Sequence, residues 1–126
     1  MEKALKYELE TNIIELVGNV YPTNAPETSI KPYLVYTRIN TKDDKTLGGY
    51  TGTGALSFMF SIMATKYGDM KSITTKVVNL IKTFIGTGIG VDNSIHVQDI
   101  EINNVSETYE PLLLVNRGII DFTIYY

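Results

Sequence analysis

Cysteine is absent from this chain, and histidine occurs once. These absences exclude disulfides, thiol nucleophiles, thiolate metal sites and any two-histidine metal motif. Tryptophan is missing too, and no apolar run approaches the roughly 18 residues of a membrane span. Met1-Glu2-Lys3 opens no hydrophobic signal region, so synthesis in the cytoplasm is the expectation. There is also no surplus of basic charge. The 11 Lys and Arg face 14 Asp and Glu, giving a formal net charge of −3. That balance leaves no electrostatic footprint for nucleic acid or anionic membrane. An enzyme is already disfavoured.

What remains is the composition of a folded globular chain: 126 residues, 44% hydrophobic and 20% charged. A chain of this size buries about two-thirds of its unfolded surface, enough for one core without covalent staples. With no repeat, low-complexity tract or linker, residues 1–126 are expected to form a single domain.

Leu5, Leu9, Ile13, Leu16 and Val17 recur at helical spacing and predict an amphipathic helix over 2–17, stopped by Gly18. The prolines of residues 20–32 predict an extended surface connection. Residues 33–40 read as a strand, and the glycine-rich stretch 41–55 as a long, mobile hairpin loop. The clearest strand is 56–65, with Leu56, Phe58, Phe60, Ile62 and Ala64 on one side. Gly68-Asp69 offers an N-cap for a helix over 70–85, buried along Met70, Ile73, Val77, Ile81 and Phe84. Residues 94–102 read as a strand whose phase slips, suggesting a bulge near Gln98-Asp99. Residues 103–112 read as a turn or hairpin tip, and 113–126 as a last strand.

The order α-β-β-α-β-β predicts an α+β fold, a largely antiparallel sheet of four to five strands with two helices on one face. The opposite face is expected to carry Met59, Met63, Ile119 and Tyr125 among Ser57, Ser61, Asp121 and Thr123. Methionine packs without a precise mould, so this face, or a sheet edge, is a candidate interface between subunits. The competing expectation is that residues 20–32 cover it.

The remaining motifs carry no chemistry. Gly86-x-Gly88-x-Gly90 follows a helix and precedes a strand, the reverse of a dinucleotide fingerprint. Residues 48–54 lack the Gly-Lys-Ser/Thr ending of a phosphate loop. His96 stands alone and reads as a surface or interface residue, and Asp43-Asp44, flanked by Lys42 and Lys45, as a solvated turn. The 9 tyrosines could stack bases, but only Arg38 and Arg117 are arginines, so assembly is the better use for them. No catalytic, cofactor or metal residues are assigned.

Several segments in order resemble a known family. A short N-terminal helix, Val20-Tyr21-Pro22, Ala25-Pro26 and Pro32-Tyr33-Leu34-Val35-Tyr36 resemble the opening of the tail completion proteins of long-tailed bacteriophages and prophages. These are also called tail terminator or tail-to-head joining proteins. The resemblance continues through Phe58 to Ala64, Tyr67, Tyr109-Glu110 and Arg117-Gly118-Ile119-Ile120-Asp121-Phe122. It implies a structural virion protein that forms a hexameric ring on the head-proximal end of the tail. Its implied partners are itself, the tail tube protein and the head completion or connector protein, with DNA passing through the lumen and no membrane. Asp43, Asp44, Lys45, Gly48, Gly49, Tyr50, Gly52 and Gly54 then form the candidate loop toward tube or lumen. A tail tube or other ring-forming virion subunit is the alternative, and a small-ligand-binding α+β domain a third.

Overall fold

Leu5 and Leu9 lie one helical turn apart and are both buried on helix α1 (Glu2–Asn12). This is a computed structural model that describes residues 1–22, 32–112 and 114–126, without the side chains of residues 45, 46, 50 and 51. The helix stops five residues short of the expected Val17. Asn12 Nδ2 donates to the Glu8 carbonyl at 2.8 Å, and Ile13 turns extended with its side chain buried. Ile14–Leu16 then forms a 3-10 turn, and Gly18 closes the segment at φ +72°, where a side chain is disfavoured.

The proline-rich stretch needs one correction. Val20–Pro22 is strand β1, paired in parallel with Leu34 to Tyr36. Proline is tolerated there because β1 is an edge strand. Residues 23–31 lie outside the described residues, as does the expectation that they cover the open sheet face.

The expected loop over 41–55 is also corrected. Strand β2 runs Tyr33–Thr46, and β3 runs Gly49–Ala64, joined at Leu47-Gly48. Ladder bonds use backbone groups alone, so glycines and charged side chains do not prevent pairing. Beyond these come helix α2 (Tyr67–Lys82), a small sheet of β4 (Gly88–Ile89) with β5 (Ile95–His96), then β6 (Asp99–Glu110) and β7 (Val115–Tyr125). Helix α2 starts ahead of the expected Gly68-Asp69 cap: Lys66 is its N-cap, and Met70 N–H donates to the Lys66 carbonyl. The phase slip in 94–102 is resolved by a break, which puts His96 in the small sheet and Asp99 onward in the large one. Residues 103–110, expected to form a tip, belong to β6, whose polar side chains suit its position at the sheet edge.

The large sheet has the order β1-β2-β3-β7-β6 and is antiparallel except at β1. This is the expected α+β arrangement, with both helices on one face. The register opposes Phe58 to Phe122 and Phe60 to Ile120. The rings of Phe58 and Phe122 stack at 5.9 Å, and Phe60 meets Phe122 edge-on at 4.8 Å. Each such pair adds about 0.5–1.5 kcal/mol beyond burial. Leu5 and Leu9 of α1 and Ile73, Val77 and Ile81 of α2 complete the core.

Helix α2 crosses β7 at Gly118. A β-carbon there would stand 2.3 Å from Thr74 Oγ1 and 3.1 Å from Met70 Sδ, both buried. Lys71 Nζ reaches Glu107 on β6, while Lys76 Nζ reaches Glu15 in the 3-10 turn. The two lysines thus tie the helix to opposite margins of the sheet.

Two predictions follow from these contacts. Gly118→Ala should destabilise the fold by about 1–3 kcal/mol, the usual cost of overpacking, because Thr74 is β-branched and cannot swing aside. Gly68→Ala, in open space in the first turn of α2, should leave stability equal or higher, with urea unfolding of both as the measurement. The second concerns pH. Hydrogen bonds from Lys76 and Lys71 hold the Glu15 and Glu107 carboxyls below the ordinary carboxylate range. A lowered folded pKa contributes stability above the unfolded pKa, and that stability is lost as pH falls through the folded value. The melting temperature should therefore drop on acidification through and below the carboxylate range, with a shallower drop in Glu15→Gln. Matching acid profiles for the two proteins would show that the pair contributes nothing, as some exposed pairs do.

Candidate functional site

Side chains alternate across a strand, so the residues between the core positions of β3 and β7 emerge on the helix-free side. Cross-strand pairing sets Ser57 against Thr123, Met59 against Asp121, Ser61 against Ile119, and Met63 against Arg117. Met59, Met63, Ile119 and Tyr125 therefore share one face and are all half-buried. Tyr33 extends this face on β2, opposite Met63, and Tyr21 meets it edge-on at 6.1 Å.

Polar side chains hold the face in shape. Arg117 Nη2 and Nε donate to Ser61 Oγ at 2.9 and 3.3 Å, and Nη1 donates to Glu110 at 3.3 Å. Ser57 and Thr123 share a hydroxyl bond at 3.1 Å, and Tyr125 donates to Glu101 at 3.1 Å. That bond to the Glu101 carboxylate pushes the Tyr125 hydroxyl pKa up. Asp121 is the exception. Its Oδ1 is buried with no hydrogen-bond partner among the described residues. A donor arriving on this face would satisfy it.

The residues expected to form the tube- or lumen-facing loop lie on the β2–β3 ribbon. Its base is anchored: Gly54 exchanges both backbone hydrogen bonds with Tyr126, whose hydroxyl donates to Asp43 at 3.2 Å. Asp44 accepts from Thr53 at 2.8 Å. The pairing of β3 with β7 ends at Ala55, so residues 44–53 continue as two strands past the main sheet. Gly48 and Gly52 are exposed and Gly49 is half-buried near the tip, while the side chains of Lys45 and Tyr50 lie outside the described ones. A two-stranded ribbon without further support is marginally stable in water, which suits a segment that finishes ordering against a partner.

The opposite end of the sheet was not singled out from sequence. Leu112 is 98% exposed and Leu114 68% at the β6–β7 turn, and Ile14 is 82% exposed beside the β1 margin. The available sequence signal was the run of three leucines directly after Pro111. Among the described residues, no cluster of His, Asp or Glu is placed to hold a metal ion. His96 is exposed on β5.

Comparison with known proteins adds two findings. A family model described as Tail completion protein gp17 matches residues 10–126. One solved structure, described as the virion of a native gene transfer agent particle, contains a similar chain. It aligns with a TM-score of 0.74 over 99% of this chain and 92% of that one, at 14% identity. At that identity the likeness is one of fold. No curated protein matches the chain.

Asp121 gives this face a direct test. Asp121→Thr removes the unpartnered oxygen and places a strand-favouring residue in β7. The isolated subunit should gain about 1 kcal/mol. Chemical denaturation measures it, and a loss of stability would show that the carboxylate is satisfied within the subunit.

Proposed function

This chain belongs to the family of tail completion proteins, non-enzymatic structural components of the virion tail, and we propose that it forms a ring at the head-proximal end of the tail tube. The match over residues 10–126 carries this reading. The ring, a hexamer on this proposal, stops tube polymerisation and joins the tail to the head completion or connector protein. Residues 1–126 act as one domain, assembled in the virion after synthesis in the host cytoplasm.

The geometry supports a division of surfaces. The face bearing Met59, Met63, Ile119 and Tyr125 is half-apolar, adaptable and not roofed by either helix, as an assembly interface requires. The projecting β2–β3 ribbon, with Asp43, Asp44, Lys45, Gly48, Gly49, Tyr50, Gly52 and Gly54, serves as the arm toward the tube or lumen. Its two aspartates suit a channel that lets DNA pass without holding it.

Replacing Met59 and Met63 together with glutamate tests the face. Neither side chain enters the core, so the double variant should fold with near-normal thermal stability. It should lose ring formation and the capping of tail tubes, as seen by negative-stain microscopy. Normal assembly by the variant would remove this face from the interface, and unfolding would mean that the face is covered within the subunit. Long polymers of the native protein alone would instead favour a tail tube subunit.

A further inference from the structure

Among the exposed hydrophobic residues outside the surfaces assigned above, two pairs lie at the same end of the large sheet. At the β6–β7 turn, Leu112 is 98% exposed and Leu114 68%, with Tyr109 beside them on β6 at 51%. Leu114 also has φ +54°, a left-handed conformation that glycine or asparagine adopts far more readily than leucine. A leucine that is both strained and solvated gains no burial within the subunit, and strained residues of this kind cluster at functional sites. The second patch is the 3-10 turn, where Ile14 is 82% and Val17 60% exposed.

The topology places these patches on opposite margins of one end of the sheet. The β6–β7 turn lies past the pair Glu110–Val115, on the β6 edge. The 3-10 turn leads into β1, the other edge, and the Asn19 carbonyl accepts from Leu34 N–H where β2 begins. Glu15 shares a shallow cleft with Pro32 and Asp69, which keeps the turn at that same end. Two unlike patches on opposite margins at one level are what a head-to-tail contact between identical subunits needs, and such a contact closes into a ring when the rotation permits.

We infer that Leu112 and Leu114 of one subunit seat on Ile14 and Val17 of the next copy. This adds a contact at the sheet margins to the ring interface proposed above and rests on that proposal. The native chain has no cysteine, so cysteines placed at exposed positions give an unambiguous readout. The full-length double variant Leu112→Cys with Ile14→Cys, and each single variant, would be treated with a short bis-maleimide cross-linker. The treatment would be made on concentrated protein and on protein assembled at tube ends. The double variant alone should give a ladder of covalent dimers, trimers and higher species ending at a closed ring. Rings seen by microscopy, but with no ladder beyond the single-variant controls, would overturn the contact and leave the ring reading standing. A strong dimer from Leu112→Cys alone would mean that tips meet tips, which also overturns it. Neither rings at tube ends nor a ladder would overturn the ring reading and this contact together.

Discussion

The β3–β7 register is the constraint on which the rest of this structure depends. With Phe58 opposite Phe122, every even-numbered position from Leu56 to Ala64 and from Gly118 to Ile124 faces the helices and is buried. A slip of one residue would drive Met59, Asp121 and Arg117 into the core and expose three phenylalanine rings. That alternative is penalised at every position at once, so the register is strongly specified. It also settles the second face: the odd-numbered residues of these strands, Met59, Met63, Ile119 and Tyr125 among them, must appear there. The candidate interface is the complement of the core.

Gly118 converts that register into a helix position. Its missing side chain lets α2 approach β7 closely enough for Thr74 and Met70 to be buried against the strand. From that crossing point Lys71 turns toward β6 and Lys76 toward the 3-10 turn. The ion pairs are exposed and individually weak. Their value is directional, since they report that one helix spans the full width between the two sheet margins. The Glu2–Arg38 pair ties the start of α1 to β2, with Arg38 also lying over the Phe58 ring at 5.9 Å. Surface charge here follows the packing and does not create it.

Where burial and periodicity coincide, the fold could be read from sequence. Leu56 to Ala64 alternated cleanly, and Met70, Ile73, Val77, Ile81 and Phe84 marked the buried stripe of α2. The failures share a physical origin. The ribbon at 41–55 and the edge strand at 103–110 are held by backbone ladders, with little side-chain burial to leave a pattern. Val20–Pro22 pairs at an edge where proline is tolerated, so composition pointed away from a strand that exists. At the candidate site, alternation alone placed Met59, Met63, Ile119 and Tyr125 on one face. The exposure of Leu112 and Leu114 was illegible, because hydrophobicity in a short turn does not say whether the residue turns inward or outward.

The two ends of the subunit also differ in kind, and that difference bears on termination. A subunit that stacks on itself indefinitely needs one end that complements the other. Here one end carries a glycine-rich ribbon with Asp43, Asp44 and a fully exposed Leu47 at its tip, and the other an apolar rim with Tyr109, Leu112 and Leu114. The two aspartates would lose hydration on meeting an apolar rim and gain no matching partner there. The lateral contact inferred above would bury the rim sideways without using the ribbon. On the proposed reading, one ring forms and its ribbons stay available to a different protein.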